Sequence, residues 1–269
     1  MNSLKYKIFV INMPKSKERW EYINSQIQNF NLSCERIDGV DISTLSQAEL
    51  DRYYSYKKNR KKYPRALTKG EIGCYIAHIK CWEEIIKQNL DFGIILEDDI
   101  AFDDKFPQAI EFIKKYFDKW DIIRLQVETK SRLLYQKQDF EGFSIYEFIR
   151  NSGCMWGYAL NKRTAETLID NLLPFGITAD SNMHVYYEFG VDVKTLVPPV
   201  IFMRNNNDSD IDEFGSRKKQ RNFYPFARQI FSIKAYCGRV FQLIKRDGFS
   251  KSLPKIIMAK KIKPEATIR

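Results

Sequence analysis

The sequence predicts an α/β domain with a parallel sheet over residues 1–215, followed by a basic, mainly helical extension over residues 216–269. Three observations carry this reading. Residues 6–37 run strand, helix, strand, the pattern of a βαβ unit with a right-handed crossover. Strand-like apolar runs then keep alternating with helical periods as far as Val200. The basic excess is confined to the end of the chain. From Arg217 onward 15 lysines and arginines face two acids, Asp247 and Glu265, so the tail carries +13 of a total of +10 and the rest carries −3.

At 269 residues, 44% hydrophobic and 29% charged, the chain has the composition of a globular protein with a sizeable core. No apolar run approaches the roughly 20 residues that span a bilayer. Ile8–Ile11 is too short for the apolar stretch of a signal peptide, so a cytoplasmic location is expected. Five cysteines (Cys34, Cys74, Cys81, Cys154, Cys237) and two histidines (His78, His184) lack the paired spacing of a structural zinc site. Cys74, Cys81 and Cys154 lie among apolar residues and read as small core side chains in a reducing compartment.

Tyr6–Met13 is the first buried strand. Pro14-Lys15-Ser16 leads into a helix over Lys17–Phe30, with Trp20, Ile23, Ile27 and Phe30 at three- and four-residue spacing. Cys34–Ile37 is the second strand. Ligands on such sheets gather at the carboxyl ends of strands, which puts Asn12 and Asp38 near a possible site. Asp41–Tyr54 reads as one or two short helices. Lys57–Arg65 reads as a mobile basic loop, either a solvated charge run or a loop that steers phosphate. Thr68 and Glu71 form a capping-box pattern opening a helix to about Asn89, whose amino end offers free N–H groups to an anion. His78 within that helix reads more readily as a packing residue than as a catalyst.

The run Asp91–Ile100 (DFGIILEDDI) is a short buried strand that ends in three acids. If extension persists, Glu97 and Asp99 face one way and Asp98 the other. Three adjacent carboxylates repel one another unless something compensates them. A divalent ion with hard oxygen ligands would do so and would suit a phosphorylated substrate; an isolated Glu-Asp-Asp is otherwise a solvated acidic turn. Phe106–Phe117 is helical again, and Trp120–Val127 and Phe143–Ile149 are strand candidates. Gly153–Leu160 is an apolar strand broken by glycines. A helix over Lys162–Leu172 stops before Pro174, and a last strand, Val191–Val200, ends at Pro198-Pro199.

Taken in order, several segments resemble glycosyltransferase family 25, the β-galactosyltransferase-like enzymes of bacterial lipooligosaccharide biosynthesis. They are Ile8-Phe9-Val10-Ile11-Asn12 with Arg19, then Arg36-Ile37-Asp38-Gly39-Val40-Asp41. Leu67-Thr68-Lys69-Gly70-Glu71-Ile72-Gly73-Cys74 with Ala77-His78 follows, and then Ile95-Leu96-Glu97-Asp98-Asp99. The resemblance covers about residues 7–212. It departs at Ala77, where the family often has serine, and it leaves out the tail.

The resemblance implies a single GT-A-like, Rossmann-type nucleotide-sugar-binding domain and a metal-assisted, inverting transfer of galactose from UDP-galactose onto lipooligosaccharide. A bridging Mn²⁺ or Mg²⁺ would stabilise the leaving diphosphate. Strand parity assigns Glu97 and Asp99 to the metal and sets Asp98 nearer the ribose or sugar. Asn12, Arg19, Lys69 and Glu71 are candidate donor contacts. Asp180, after the Gly153–Leu160 strand and its helix, is the candidate base for the acceptor hydroxyl, with capping of Ser181–Phe189 as its bland alternative.

Two other classes compete. A nucleotidyl- or phosphotransferase could use the same acidic site. A nucleic-acid-binding protein would explain the basic stretches, but the near-neutral body argues against one. In the tail, Phe226, Ile230, Ile233, Cys237, Val240, Phe241 and Ile244 recur at helical spacing, with Arg228, Lys234, Arg239, Lys245 and Arg246 beside them. This predicts peripheral contact with the anionic inner face of the cytoplasmic membrane, near a lipid-linked oligosaccharide acceptor. Packing of that helix on the domain is the alternative.

Overall fold

The structure, a computed structural model, describes residues 4–127, 133–140, 142–149, 153–204 and 222–261. The first unit is the expected βαβ: β1 (Tyr6–Asn12), α1 (Lys17–Asn29) and β2 (Cys34–Asp38), with β1 and β2 parallel and Asn12 level with Asp38. Two short helices follow, α2 (Gln47–Tyr53) and α3 (Tyr56–Lys62), then the long α4 (Lys69–Lys87). β3 (Phe92–Glu97) lies parallel to β1 on its other side, and Ile11 stands level with Glu97.

Beyond β3 the chain runs through β4 (Ile100–Phe102), α5 (Phe106–Lys115), β5 (Ile122–Arg124), β6 (Leu133–Phe140), β7 (Phe143–Phe148), β8 (Gly157–Asn161) and α6 (Lys162–Leu172). Then come α7 (Ala179–Asn182), β9 (Val193–Val197), β10 (Ile201–Met203), α8 (Ala227–Asp247), α9 (Phe249–Ile257) and β11 (Lys260–Lys261). The main sheet has the order β11-β6-β7-β9-β5-β8-β3-β1-β2, and β4 pairs with β10 apart from it.

The βαβ unit is parallel as expected, and the sheet it belongs to is mixed. Only β2-β1-β3 and β5-β9 run parallel; β8 sits between β3 and β5, antiparallel to both. Side-chain alternation along the central strands builds a core on each face. Phe9 and Ile95 join α4 and α6 on one side, while Ile8, Val10, Ile94 and Leu96 join α1 and α5 on the other. The α4 layer is set close to the sheet edge: a Cβ on Gly73 would collide with the carbonyl oxygen of Val40.

Three expectations are revised. The stretch at Lys57–Arg65 is largely helix, because Ser55 accepts from the N–H of Lys58 at 3.3 Å and caps α3. The Gly153–Leu160 strand begins only at Gly157, with Cys154 in the left-handed region at φ 72°. The strand at Val191–Val200 stops at Val197, and a separate short strand, β10, follows the prolines.

The extension docks on the domain. Arg239 of α8 is buried and donates to the Phe148 carbonyl at 3.1 Å, and it reaches Asp192 at 3.2 Å. Arg246 holds Glu147 and Asp192, both at 2.9 Å, and β11 adds an antiparallel strand beside β6. The boundary at Gly215 and the basic residues Arg217–Arg221 lie outside the described residues. No described helix is long and apolar enough to cross a membrane.

Candidate active site

The acidic stretch sits at the carboxyl end of β3, beside β1 in the β2-β1-β3 parallel group. Extension stops at Glu97, and Asp98 and Asp99 form a turn into β4, so strand parity no longer decides where they point. Glu97 faces α4, where its Oε1 lies 3.4 Å from His78 Nε2. Asp98 turns the other way. Asn12, at the end of β1 and 1% exposed, donates from Nδ2 to Asp98 Oδ2 at 2.6 Å and to the Ser16 carbonyl at 3.0 Å. Arg19 on α1 reaches Asp98 Oδ1 at 3.3 Å. Asp98 is thereby fixed and neutralised by β1 and α1.

Asp99 is different. It is half-buried beside two like charges, and among the described residues its buried Oδ1 has no hydrogen-bond partner. Burial above all, then the charges of Glu97 and Asp98, push its carboxyl up to about 7. A buried acceptor without a donor, next to a second carboxylate, fits a hard divalent cation: Glu97 and Asp99 offer the oxygen ligands such an ion takes.

On the α4 side, the ligand atoms of Cys74, His78 and Glu97 lie within 4.8 Å of one another. The Cys74 thiol is held well above its ordinary pKa by burial, and the charges of Glu97, Asp180, Asp99 and Glu71 act in the same direction. Sulfur is a soft ligand, and a hard cation such as Mg²⁺ or Mn²⁺ favours the carboxylate oxygens of Glu97 and Asp99. His78 is fully buried and its Nδ1 lies 3.2 Å from the Tyr158 hydroxyl, which accepts a hydrogen bond from Trp82 Nε1 at 2.9 Å. The buried Nε2 of His78 faces Glu97 and has no hydrogen-bond partner among the described residues. His78 therefore lies behind Glu97 as a support.

Asp180 lies in the first turn of α7. Its charge acts on Cys74 together with those of Glu97 and Asp99, and it lies against Gly153, where a Cβ would be 3.4 Å from its Oδ2. Thr178, not Asp180, is the residue before the helix, and Asp180 Oδ1 accepts from the N–H of its neighbour Ser181 at 2.7 Å. The segment is anchored by α3 and the residues after it. Tyr63 contacts Ser181 Oγ at 3.3 Å and Thr178 Oγ1 at 3.2 Å, and the fully buried Asn59 donates to the carbonyls of Arg65 and Gly176 at 3.1 and 3.0 Å.

Lys69 is exposed at the start of α4. Glu71 is engaged elsewhere: Arg65 grips both its oxygens at 2.8 and 2.5 Å, and Oε2 also accepts from the Thr68 N–H at 2.9 Å. Its carboxylate fastens the helix start. Arg65, Tyr63 and Asn59 are the residues of this neighbourhood that sequence reasoning misses, and His78 is a packing residue that also backs the site. The Ser55 cap is a local signal for α3; nothing local pairs Arg65 with Glu71 or Tyr63 with Thr178.

An α/β sheet with an acidic cluster at the end of a central parallel strand, flanked by a buried asparagine and an arginine, defines a GT-A-like domain. The chain belongs to glycosyltransferase family 25 (LPS biosynthesis protein), whose sequence profile matches residues 5–183. Similar proteins include procollagen galactosyltransferase 2 of Mus musculus, 24% identical over 179 residues, and procollagen galactosyltransferase 1 of Danio rerio, 23% identical over 172 residues. These matches cover 63% and 61% of this chain but only 28% of each relative. A protein named probable inactive glycosyltransferase 25 family member 3, of Rattus norvegicus, is 30% identical over 128 residues, 44% of this chain and 22% of its own length. The solved structure of mannose-1-phosphate geranyltransferase from Thermus thermophilus overlaps at a TM-score of 0.41 with 9% identity, covering 74% and 76% of the two chains. That overlap is too weak to support a functional reading.

Proposed function

We propose that this chain is a hexosyltransferase that moves galactose from UDP-galactose onto a lipid-linked oligosaccharide of the lipooligosaccharide type, at the inner face of the cytoplasmic membrane. Family membership supports sugar transfer, and the names of the relatives favour galactose. The observation that carries the reading is the asymmetry of the acidic cluster: Asp98 is locked by Asn12 and Arg19, while the neighbouring Asp99 keeps a buried oxygen without a donor beside Glu97.

In this reading Glu97 and Asp99 hold Mn²⁺ or Mg²⁺, which when bound supplies positive charge for the departing diphosphate. Asn12 and Arg19 keep Asp98 in one orientation, towards which a ribose or sugar hydroxyl of the donor would lie. Lys69, at the amino end of α4, adds a cation where the helix dipole already favours an anion. Asp180 takes the proton of the acceptor hydroxyl as that oxygen attacks the anomeric carbon. The bond from that carbon to the diphosphate oxygen breaks, UDP leaves, and the configuration inverts.

The test is calorimetric binding of UDP in Mn²⁺ by wild type and Asp99→Asn. The variant should keep the fold and lose most of the metal-dependent affinity along with transfer. UDP affinity and turnover equal to wild type would remove Asp99 from the site.

A further inference from the structure

We propose that the outward faces of α8 and α9 form a docking surface for an anionic lipid bilayer. Along α8, Phe226, Ile230, Ile233 and Phe241 are 72, 38, 61 and 69% exposed, and Cys237 between them is exposed as well. Phe226 stands just before the helix, and the four positions within it, Ile230, Ile233, Cys237 and Phe241, fall within an arc of about 80° at 3.6 residues per turn. Phe249, Leu253 and Ile257 repeat the pattern along α9 at 62, 39 and 73% exposure, four residues apart. The opposite side of α8 carries the buried Arg239, held by Glu147, Asp192 and the Phe148 carbonyl, and Leu243, which packs with Ile149, Tyr236, Val240 and Ile256. Ser252 of α9 donates to the Leu243 carbonyl and ties the two helices together. The apolar stripes on the outward sides have no such partner among the described residues.

Charge identifies the occupant. Lys234 and Lys245 are exposed on α8 within about 40° of one edge of the apolar stripe, while Arg228 and Lys251 are exposed on other sides of the two helices. Asp247, the one acid of these helices, is held by Arg246 at 2.8 Å and Lys255 at 3.4 Å. A cationic edge beside an apolar stripe complements a surface that offers anionic headgroups above hydrocarbon. Arg239 and Arg246, grouped with that edge on sequence grounds, belong to the inner side because Glu147 and Asp192 hold them. The surface deepens the proposed function, since a lipid-linked acceptor lies in the same plane, but it is measured without sugar or acceptor, so the two can fail separately.

The experiment is sedimentation of the full chain with vesicles of phosphatidylcholine, with and without phosphatidylglycerol. Wild type should sediment with the anionic vesicles and stay in solution with phosphatidylcholine alone. Lys234→Glu/Lys245→Glu should weaken partition by at least about 25-fold, roughly fivefold for each lost lysine. Ile233→Ser/Phe241→Ser should weaken it by more than about tenfold. Both variants should melt as wild type, because the altered side chains are exposed. Absence of binding, equal binding to neutral vesicles, or variants that bind as wild type would each overturn the proposal. So would a wild-type dimer that the Ile233/Phe241 variant dissolves without any vesicle binding, which would assign the face to a second copy of the chain.

Discussion

Asp98 and Asp99 are adjacent in the chain and opposite in circumstance, because the turn after Glu97 sends one to Asn12 and Arg19 and leaves the other with an unpartnered buried oxygen. The same contrast separates Glu71 from Asp180. Glu71 is gripped by Arg65, and the two are 9% and 7% exposed. Removing one partner of such a pair leaves a buried charge, so Glu71→Gln should cost about 3–5 kcal/mol in urea unfolding. If stability held and donor affinity fell, Glu71 would be a donor contact after all. Asp180→Asn should leave UDP binding unchanged and lower turnover by roughly 10²–10⁴, the usual worth of a positioned base. A fall in melting temperature with near-normal turnover would instead make it a structural residue of the α7 turn. Sequence could name Glu97, Asp98, Asp99 and Asp180 as acids at the ends of elements. It could not see that Glu71 meets Arg65, a pairing six residues apart but fixed by the turn into α4.

At the scale of elements, β1, α1, β2, α4, β3 and α6 were legible because each carries a clean period and a recognisable start or stop. α3 was not: Lys57–Arg65 has no apolar period, and its helix rests on the Ser55 cap and on Asn59, whose partners lie as far away as Gly176. The mixed sheet was illegible for a similar reason. β5 has only three residues, and the direction of β8 follows from which neighbours it joins. The α8–α9 junction makes its own prediction. Hydrogen bonding from Arg246, then the charges of Arg246 and Lys255, holds the Asp247 carboxyl below its ordinary range. A depressed carboxylate contributes stability above its unfolded pKa and loses it as pH falls through the folded one. The contribution should therefore fade below about pH 4, and because the site is partly solvated it should stay under about 1 kcal/mol. Thermal midpoints of wild type and Asp247→Asn should differ at about pH 6 and converge towards about pH 3; parallel curves would contradict the pairing.

For the whole molecule, the arrangement is a two-faced core with the carboxyl ends of β1 and β3 side by side, and a basic helical extension clamped on the β7 and β9 side. Membership of glycosyltransferase family 25 sets the chemistry to be tested at those strand ends, and the acidic cluster carries the proposed metal requirement. The most direct measurement is product release from a panel of nucleotide sugars, with and without Mn²⁺. The account predicts UDP release from UDP-galactose, dependent on the divalent ion and lost in Asp99→Asn. Release of pyrophosphate from a nucleoside triphosphate with no UDP from any sugar donor, or UDP release that persists in excess chelator, would contradict it.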